Sequence, residues 1–234
     1  MARVTKSAIG KFSGALGGLV FHQRNGKQFV RQRPQSFLPG TDPESVDRRL
    51  RFGFSVKLAQ SIYSIPELAI IWRNAAPKNK PLFNFIVGAN TKKVNAGSVT
   101  SETCITPPWH LRPAGAKLIA DCADASISSG CMEVELTVPA IPPSLEARGA
   151  DIFKLISIIC LMKSLKQSLP DYRFVQVVSP PQQFTPGASI TFNIPLNSQD
   201  ANDVENYEEK KLLAALVAFD DQGNIVDYTA TIVK

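Results

Sequence analysis

"CMEVELTVP", Cys131 to Pro139, alternates in character: Val134, Leu136 and Val138 fall on one face, Glu133 and Glu135 on the other. A period of two is the signature of a β-strand with one buried and one wet face. The glutamates therefore read as outward residues of a half-buried strand, not as a catalytic carboxylate pair. After Asn95 the same texture recurs in "SVTSETCI" (98–105), "GAKLIADC" (115–122), "IFKLISIICLM" (152–162), "YRFVQVVS" (172–179), "SITFNIPL" (189–196), "LLAALVAFD" (212–220) and "IVDYTATIV" (225–233). "LISIICLM" (Leu155 to Met162) within the third of these reads as a buried strand. "DDQGN" joins the last two as a glycine-containing hairpin connection, which makes Asp220 and Asp221 turn residues. Eight short strands with such turns predict an antiparallel β-sandwich of immunoglobulin-like layout over 96–234, without the Cys–Trp–Cys signature of antibody domains. "NSQDANDVENYEEKK" (197–211) is acidic and polar, and predicts a long exposed loop.

Upstream, residues 41–95 predict a helical segment. Thr41 and Glu44 have capping-box spacing, and Pro43 is tolerated in a first helical turn. Val46, Leu50, Phe54, Leu58 and Ile62 recur every four residues, with Arg48, Arg49, Arg51 and Lys57 mostly opposite. That is an amphipathic helix of about five turns. Ile65-Pro66 interrupts it, because the residue before proline avoids helical dihedrals. "PELAIIWRNA" (66–75) reads as a shorter helix, and "PLFNFIVGANTKK" (81–93) fits a helix or a strand.

Residues 1–40 predict a basic, glycine-rich extended arm. "GKFSGALGGLVFHQRNGKQFVRQRP" (Gly10 to Pro34) has five glycines, five Lys or Arg and no acid. Asn25-Gly26 is the strongest short-range hairpin signal, and it pairs Val20–Arg24 with Lys27–Arg31. Gly14, Gly17 and Gly18 let the chain bend and let another backbone approach. An isolated hairpin is marginal in water, so this one needs a surface to lie on, its own or a neighbour's. The candidate interaction residues are Gly14, Gly17, Gly18, Val20, Phe21, Arg24, Gly26, Lys27, Val30, Arg31 and Arg33.

The 234 residues allow one domain or two small ones, and 44% apolar content can furnish a core. No apolar run reaches the roughly 18 residues needed to span a bilayer. Lys11 and the glycines interrupt any signal-peptide core, which predicts cytoplasmic synthesis without classical export. Cys104, Cys122, Cys131 and Cys160 form no CxxC pair and read as buried free thiols, and spacing alone leaves open whether Cys122 faces Cys131. His22 and His110 sit in no metal pattern. HxxxH, HExxH and GxSxG are missing. The arm is not a phosphate loop, since Gly26-Lys27 is followed by Gln28 and Phe21 stands where the first glycine is required. Trp72 and Trp109 read as core or interface anchors. The sequence thus supplies no catalytic, cofactor-binding or metal-ligating residue.

Charge is segregated. Residues 1–40 have seven bases and no acid, 41–95 nine bases and four acids, 96–234 ten bases and sixteen acids. A basic front and an acidic back suit either a nucleic-acid partner or front-to-back pairing between copies.

The pattern G-x-x-x-G-x-x-G-G-x-V-F-x-Q-R-x-G-K-x-x-V-R-x-x-P (Gly10 to Pro34), followed by Thr41 and a helix containing Arg51-Phe52, resembles the N-terminus of a family of small basic proteins. That family is common in Bacteroidota genomes and is known as a domain of unknown function. Similar N-termini occur in phage and prophage proteins near virion genes. The match covers about the first 55 residues and departs at "TDPESVD", where such proteins often have Gln shortly after the threonine. The resemblance implies a phage-related or surface-assembly setting and transfers no catalytic residue.

The expectation is a structural protein, not an enzyme: a phage-type virion component whose arm docks on neighbouring subunits, as a homo-oligomer or in a larger assembly. It would be made in the host cytoplasm, with no membrane span and no cofactor. The alternative is sequence-independent nucleic-acid binding by the basic half. A carbohydrate- or surface-binding sandwich module ranks below both.

Overall fold

The computed structural model describes residues 2–4, 13–24, 26–34, 36, 39–112, 118–139, 148–150, 152–183 and 189–234. The chain is mainly β with antiparallel sheets, and divides into two compact units, 1–45 and 46–234.

The larger unit is built on its two longest strands, β9 (Ile152–Ser164) and β13 (Tyr207–Phe219), 13 residues each. They pair antiparallel along their length, from Phe219 opposite Ile152 to Tyr207 opposite Ser164. β10 (Tyr172–Val178) flanks β9, and β14 (Ile225–Tyr228) flanks β13. The short β11 (Gln182–Gln183) and β15 (Ile232–Val233) complete a six-stranded sheet on β9 and β13 respectively. Alternation explains why β9 is apolar from Leu155 to Met162 save for Ser157. Ile156, Ile158, Cys160 and Met162 point to one core, while Phe153, Leu155, Ile159 and Leu161 point to a second. A strand buried on both faces loses its polar phase.

The first core lies under helices α1 (Pro43–Ser64), α2 (Pro66–Ala75) and α3 (Leu82–Asn90). Phe54, Leu58 and Ile62 of α1 and Trp72 of α2 are fully buried in it. The helical segment is therefore a layer of the same unit as the strands. The predicted stripe of α1 sinks only in its later turns: Leu50 is 54% exposed. Asp42, not Thr41, closes the entrance, its carboxylate accepting from the Ser45 amide at 2.8 Å. Ile65-Pro66 separates α1 from α2 as the sequence predicts, and 82–90 is helical.

The second core lies between the six-stranded sheet and a three-stranded sheet, β12 (Ser189–Pro195), β8 (Cys131–Thr137) and β7 (Asp121–Ile127) in that order. Met132, Val134 and Leu136 point inward beside Ile190, Phe192 and Ile194. The unit thus stacks helices, a large sheet and a small sheet around two cores.

Four predicted elements differ. "IVDYTATIV" splits into β14 and β15, with the Thr231 hydroxyl between them turned to accept from the Ile105 and Thr106 amides. β7 starts at Asp121, because Leu118, not a strand residue, fills the core there with its amide bonded to Asp227 at 2.7 Å. Residues 115–117 of that predicted segment lie outside the described residues. "SVTSETCI" keeps only β6 (Ser98–Val99), paired with β5 (Val94–Asn95), because Thr100 and Thr103 turn their hydroxyls onto the Lys93 carbonyl at 2.5 and 2.8 Å. The predicted acidic loop is a helix, α4 (Ser198–Glu205), running into β13. Asn197 caps it by accepting from the Gln199 and Asp200 amides at 3.0 and 2.8 Å, and Val204 anchors it in the second core.

Candidate interaction surfaces

The smaller unit is a four-stranded antiparallel sheet rather than a lone hairpin. Its order is β1 (Ala2–Val4), β4 (Lys27–Gln32), β3 (Leu19–Arg24), β2 (Gly14–Leu16). The predicted hairpin has the expected register, with Phe21 opposite Val30 and Arg24 opposite Lys27. Gly26 has φ +73°, and Asn25 lies outside the described residues. Gly17 and Gly18 form a second two-residue turn that brings Leu16 opposite Leu19. Gly17 has φ +54°, the left-handed region that glycine enters at no steric cost. Gly18 has no positive φ and no atom within 4 Å of where a Cβ would stand. So the two glycines, grouped by the sequence, have different needs.

Cross-strand partners share a face, so register sorts the side chains. One face carries Leu16, Leu19, Phe21 and Val30 together with Gln23, Gln28 and Gln32, with Gly14 opposite Phe21, and no charge. The other carries Val20, His22, Lys27, Phe29 and Arg31, with the His22 and Phe29 rings stacked 5.4 Å apart. Arg33 follows Arg31 by two residues, its amide donating to the Gly18 carbonyl at 2.7 Å. Arg24 is placed by register alone. Lys27, Arg31 and Arg33 are exposed. None of the unit's described apolar side chains is buried, and Leu16 is 73% exposed. Among the described residues this sheet buries only Gln28 and gathers no apolar core.

The small sheet of the larger unit offers a contrasting surface. Its inner residues are sealed in the second core, while its outer face shows Glu133 and Asn193 beside Ser126, and Glu135 and Thr191 beside Asp124. Asp121 lies one cross-strand pair further on, opposite Thr137. Four carboxylates thus share one face with no Lys or Arg in any of its three strands. The sequence identifies Glu133 and Glu135 as outward. It misses Asp121 and Asp124 as their neighbours, because "DCADASI" has a single β-branched residue, Ile127, to announce a strand.

The remaining sequence candidates take structural places. All four cysteines are free: Cys104 and Cys160 are buried, Cys122 and Cys131 partly so. Cys122 stands opposite Leu136, well along the hairpin from Cys131, so these two do not face each other. Burial pushes the Cys160 thiol up to about 12. Trp72 is a core anchor whose indole donates to the Ile105 carbonyl at 2.7 Å. Trp109, 52% exposed, is not in the core; the Arg112 guanidinium lies 5.0 Å over its ring and 4.2 Å over that of Tyr228. Arg112 donates to Asp227 at 3.1 Å. Asp220 accepts from the Asn224 side-chain amide at 3.0 Å and from the Asn224 and Gln222 backbone amides at 2.7 and 3.0 Å, which holds the β13–β14 turn and keeps its carboxyl below the usual range.

A groove of about 760 Å³ runs between α1 and the β10 edge, lined by Lys57, Gln60, Ser61, Tyr172, Arg173 and Phe174. Among the described residues no three His, Cys, Asp or Glu side chains gather as a metal site. No described helix is long and apolar enough to cross a membrane. Compared with family models, curated proteins and solved structures, the chain matches none.

Proposed function

We propose that this protein is a structural assembly subunit whose N-terminal arm docks on neighbouring subunits, and that it belongs to a phage-type virion after synthesis in the host cytoplasm. The observation that carries this reading is the coreless arm: four strands, one uncharged face that shows Leu16, Leu19, Phe21 and Val30 among three glutamines, and no buried apolar side chain among those described. A sheet needs a buried face to be stable, so the arm's cover must come from outside its own strands. The resemblance of the first 55 residues to phage-associated proteins supports the virion setting. The two face-to-face antiparallel sheets support an immunoglobulin-like sandwich as the scaffold, with a helical layer added.

The second reading, sequence-independent nucleic-acid binding, is favoured by Lys27, Arg31 and Arg33 beside the stacked His22 and Phe29. Cations interleaved with aromatic rings suit phosphates and base faces. Limited proteolysis of the full chain separates assembly from an arm satisfied within one molecule. Cuts between residues 13 and 40 come early in dilute protein and disappear as concentration drives assembly. An arm equally resistant at every concentration overturns the proposal.

A further inference from the structure

We infer that the outer face of the small sheet β12–β8–β7 is the docking surface for the basic face of the arm of a second copy of this chain. This rests on the reading of the arm as an assembly element and names its target. The two surfaces are opposite in sign and each is unmixed. Asp121, Asp124, Glu133 and Glu135 face outward with no base among them. Lys27, Arg31 and Arg33 face outward from the arm with no acid in residues 1–40. Among the described residues, none of the four carboxylates makes an ion pair.

Spacing agrees as well as sign. Arg31 and Arg33 are two residues apart along one extended chain, as are Glu133 and Glu135 along β8. Both intervals equal the strand repeat of about 6.8 Å. The cross-strand pair of Glu135 and Asp124 doubles the negative charge at one of these positions. Like charges directly opposite on a sheet destabilise it, and a cation laid across them removes that cost. A small sheet face that is polar except for the Cys131–Pro195 pair at its end also suits the rim of an interface, where complementary charge sets orientation and association rate. Because each chain carries both an arm and an acceptor face, the contact closes by reciprocal exchange in a two-fold dimer or runs head-to-tail into rings or open chains.

The test is charge exchange in full-length protein, followed by sedimentation. The arm-reversed chain (K27E/R31E/R33E) and the sheet-reversed chain (D124K/E133K/E135K) each lose self-association, with an apparent Kd higher by about 100-fold, since each exposed pair is worth up to about fivefold. Mixed in equal amounts they associate again, because each acidic arm now meets a basic sheet and each basic arm an acidic one. Circular dichroism establishes that both variants fold. If the lysine variant does not fold, E133Q/E135Q keeps the polar surface and weakens association by about tenfold. A sheet-reversed chain that assembles normally, while the arm-reversed chain fails, overturns this inference and leaves the arm docking elsewhere. A wild-type chain that stays monomeric overturns both this inference and the reading beneath it. Arm reversal that abolishes duplex DNA retention without changing self-association assigns the basic face to phosphate, and likewise overturns the inference.

Discussion

β9 and β3 are both central strands, and they live in opposite conditions. From Phe153 to Leu161 every residue of β9 but Lys154 is buried, in alternation between two cores. From Leu19 to Gln23 no residue of β3 is buried, and Leu19 at its start is 45% exposed. Hydrogen bonding does not distinguish them, since each has a partner on both sides. What differs is the apolar area removed from water, which supplies roughly 25 cal/mol per Å² and offsets the entropy of ordering a chain. The larger unit holds that stabilisation within itself. The arm has the ladder without the burial, and its order depends on what covers it.

The strongest way to break this comparison is to delete one ring from each unit. Phe192→Ala removes a fully buried ring between the two sheets and costs about 3–5 kcal/mol. Phe21→Ala in the arm shifts the same transition by less than about 0.5 kcal/mol. Both tryptophans lie in the larger unit, so their fluorescence reports its unfolding alone. Equal losses would show that the arm belongs to that core.

Alkali sharpens the contrast next. Burial raises the Cys160 thiol from 9.0 to about 12, and it also raises Cys104, Tyr172 and Tyr228. The unfolded chain releases these protons near their ordinary values while the folded chain keeps them. Their contribution is therefore complete below about pH 9 and is lost as pH climbs toward 12. Residues 1–45 contain no Cys or Tyr. Denaturant melts at increasing pH should show the tryptophan-reported stability falling across that window. A flat profile contradicts the burial of these groups.

Turn chemistry separates two neighbours within the arm. Gly17→Val forces a β-branched residue to φ +54° and costs the turn about 1–2 kcal/mol. Gly18→Val meets neither strain nor a neighbouring atom and costs less. Assembly yield and amide exchange at Leu16 and Leu19 read the difference, and equal effects would point instead to a close contact at Gly18 made by another chain. The smallest expected effect is a cap. Asn197→Ala leaves two amides of α4 without their acceptor, for about 1 kcal/mol, whereas Lys27→Ala leaves the same melt unchanged.

Periodicity made β8, β9, β10 and β12 legible, because one or both faces of each are sealed and the apolar phase is unbroken. Asn25-Gly26 gave the arm hairpin its register for a local reason, the φ requirement of a two-residue turn. The failures come from longer-range causes. α4 is polar except at Val204, so nothing in its composition separates it from a loop, and the clue was the Asn197 cap followed by Asp200. β7 is held by its neighbour β8 rather than by its own propensity. Thr231, whose hydroxyl accepts from the Ile105 and Thr106 amides at 2.9 and 3.1 Å, ties the C-terminus to a segment about 125 residues away. The candidate surfaces were half visible: the basic arm is written locally, while its acidic counterpart arises only when β7 and β8 are set side by side.

The alternation of β9 between two cores also fixes its tolerance of length change. Lys154 sits on the helical face, its ammonium 3.3 Å from Glu67 and 4.9 Å over the Phe219 ring. Loss of a single codon between 155 and 161 would exchange the destinations of all residues on one side of the gap. Either Lys154 would enter the dry layer between the sheets, or the isoleucines and leucines beyond the gap would trade layers shaped for other side chains. Point substitutions in this strand can be absorbed by local repacking, but in-frame deletions cannot. Natural length variation in descendants of this chain should therefore collect in the turns, such as Asp220–Asn224, and leave β9 and β13 constant in length.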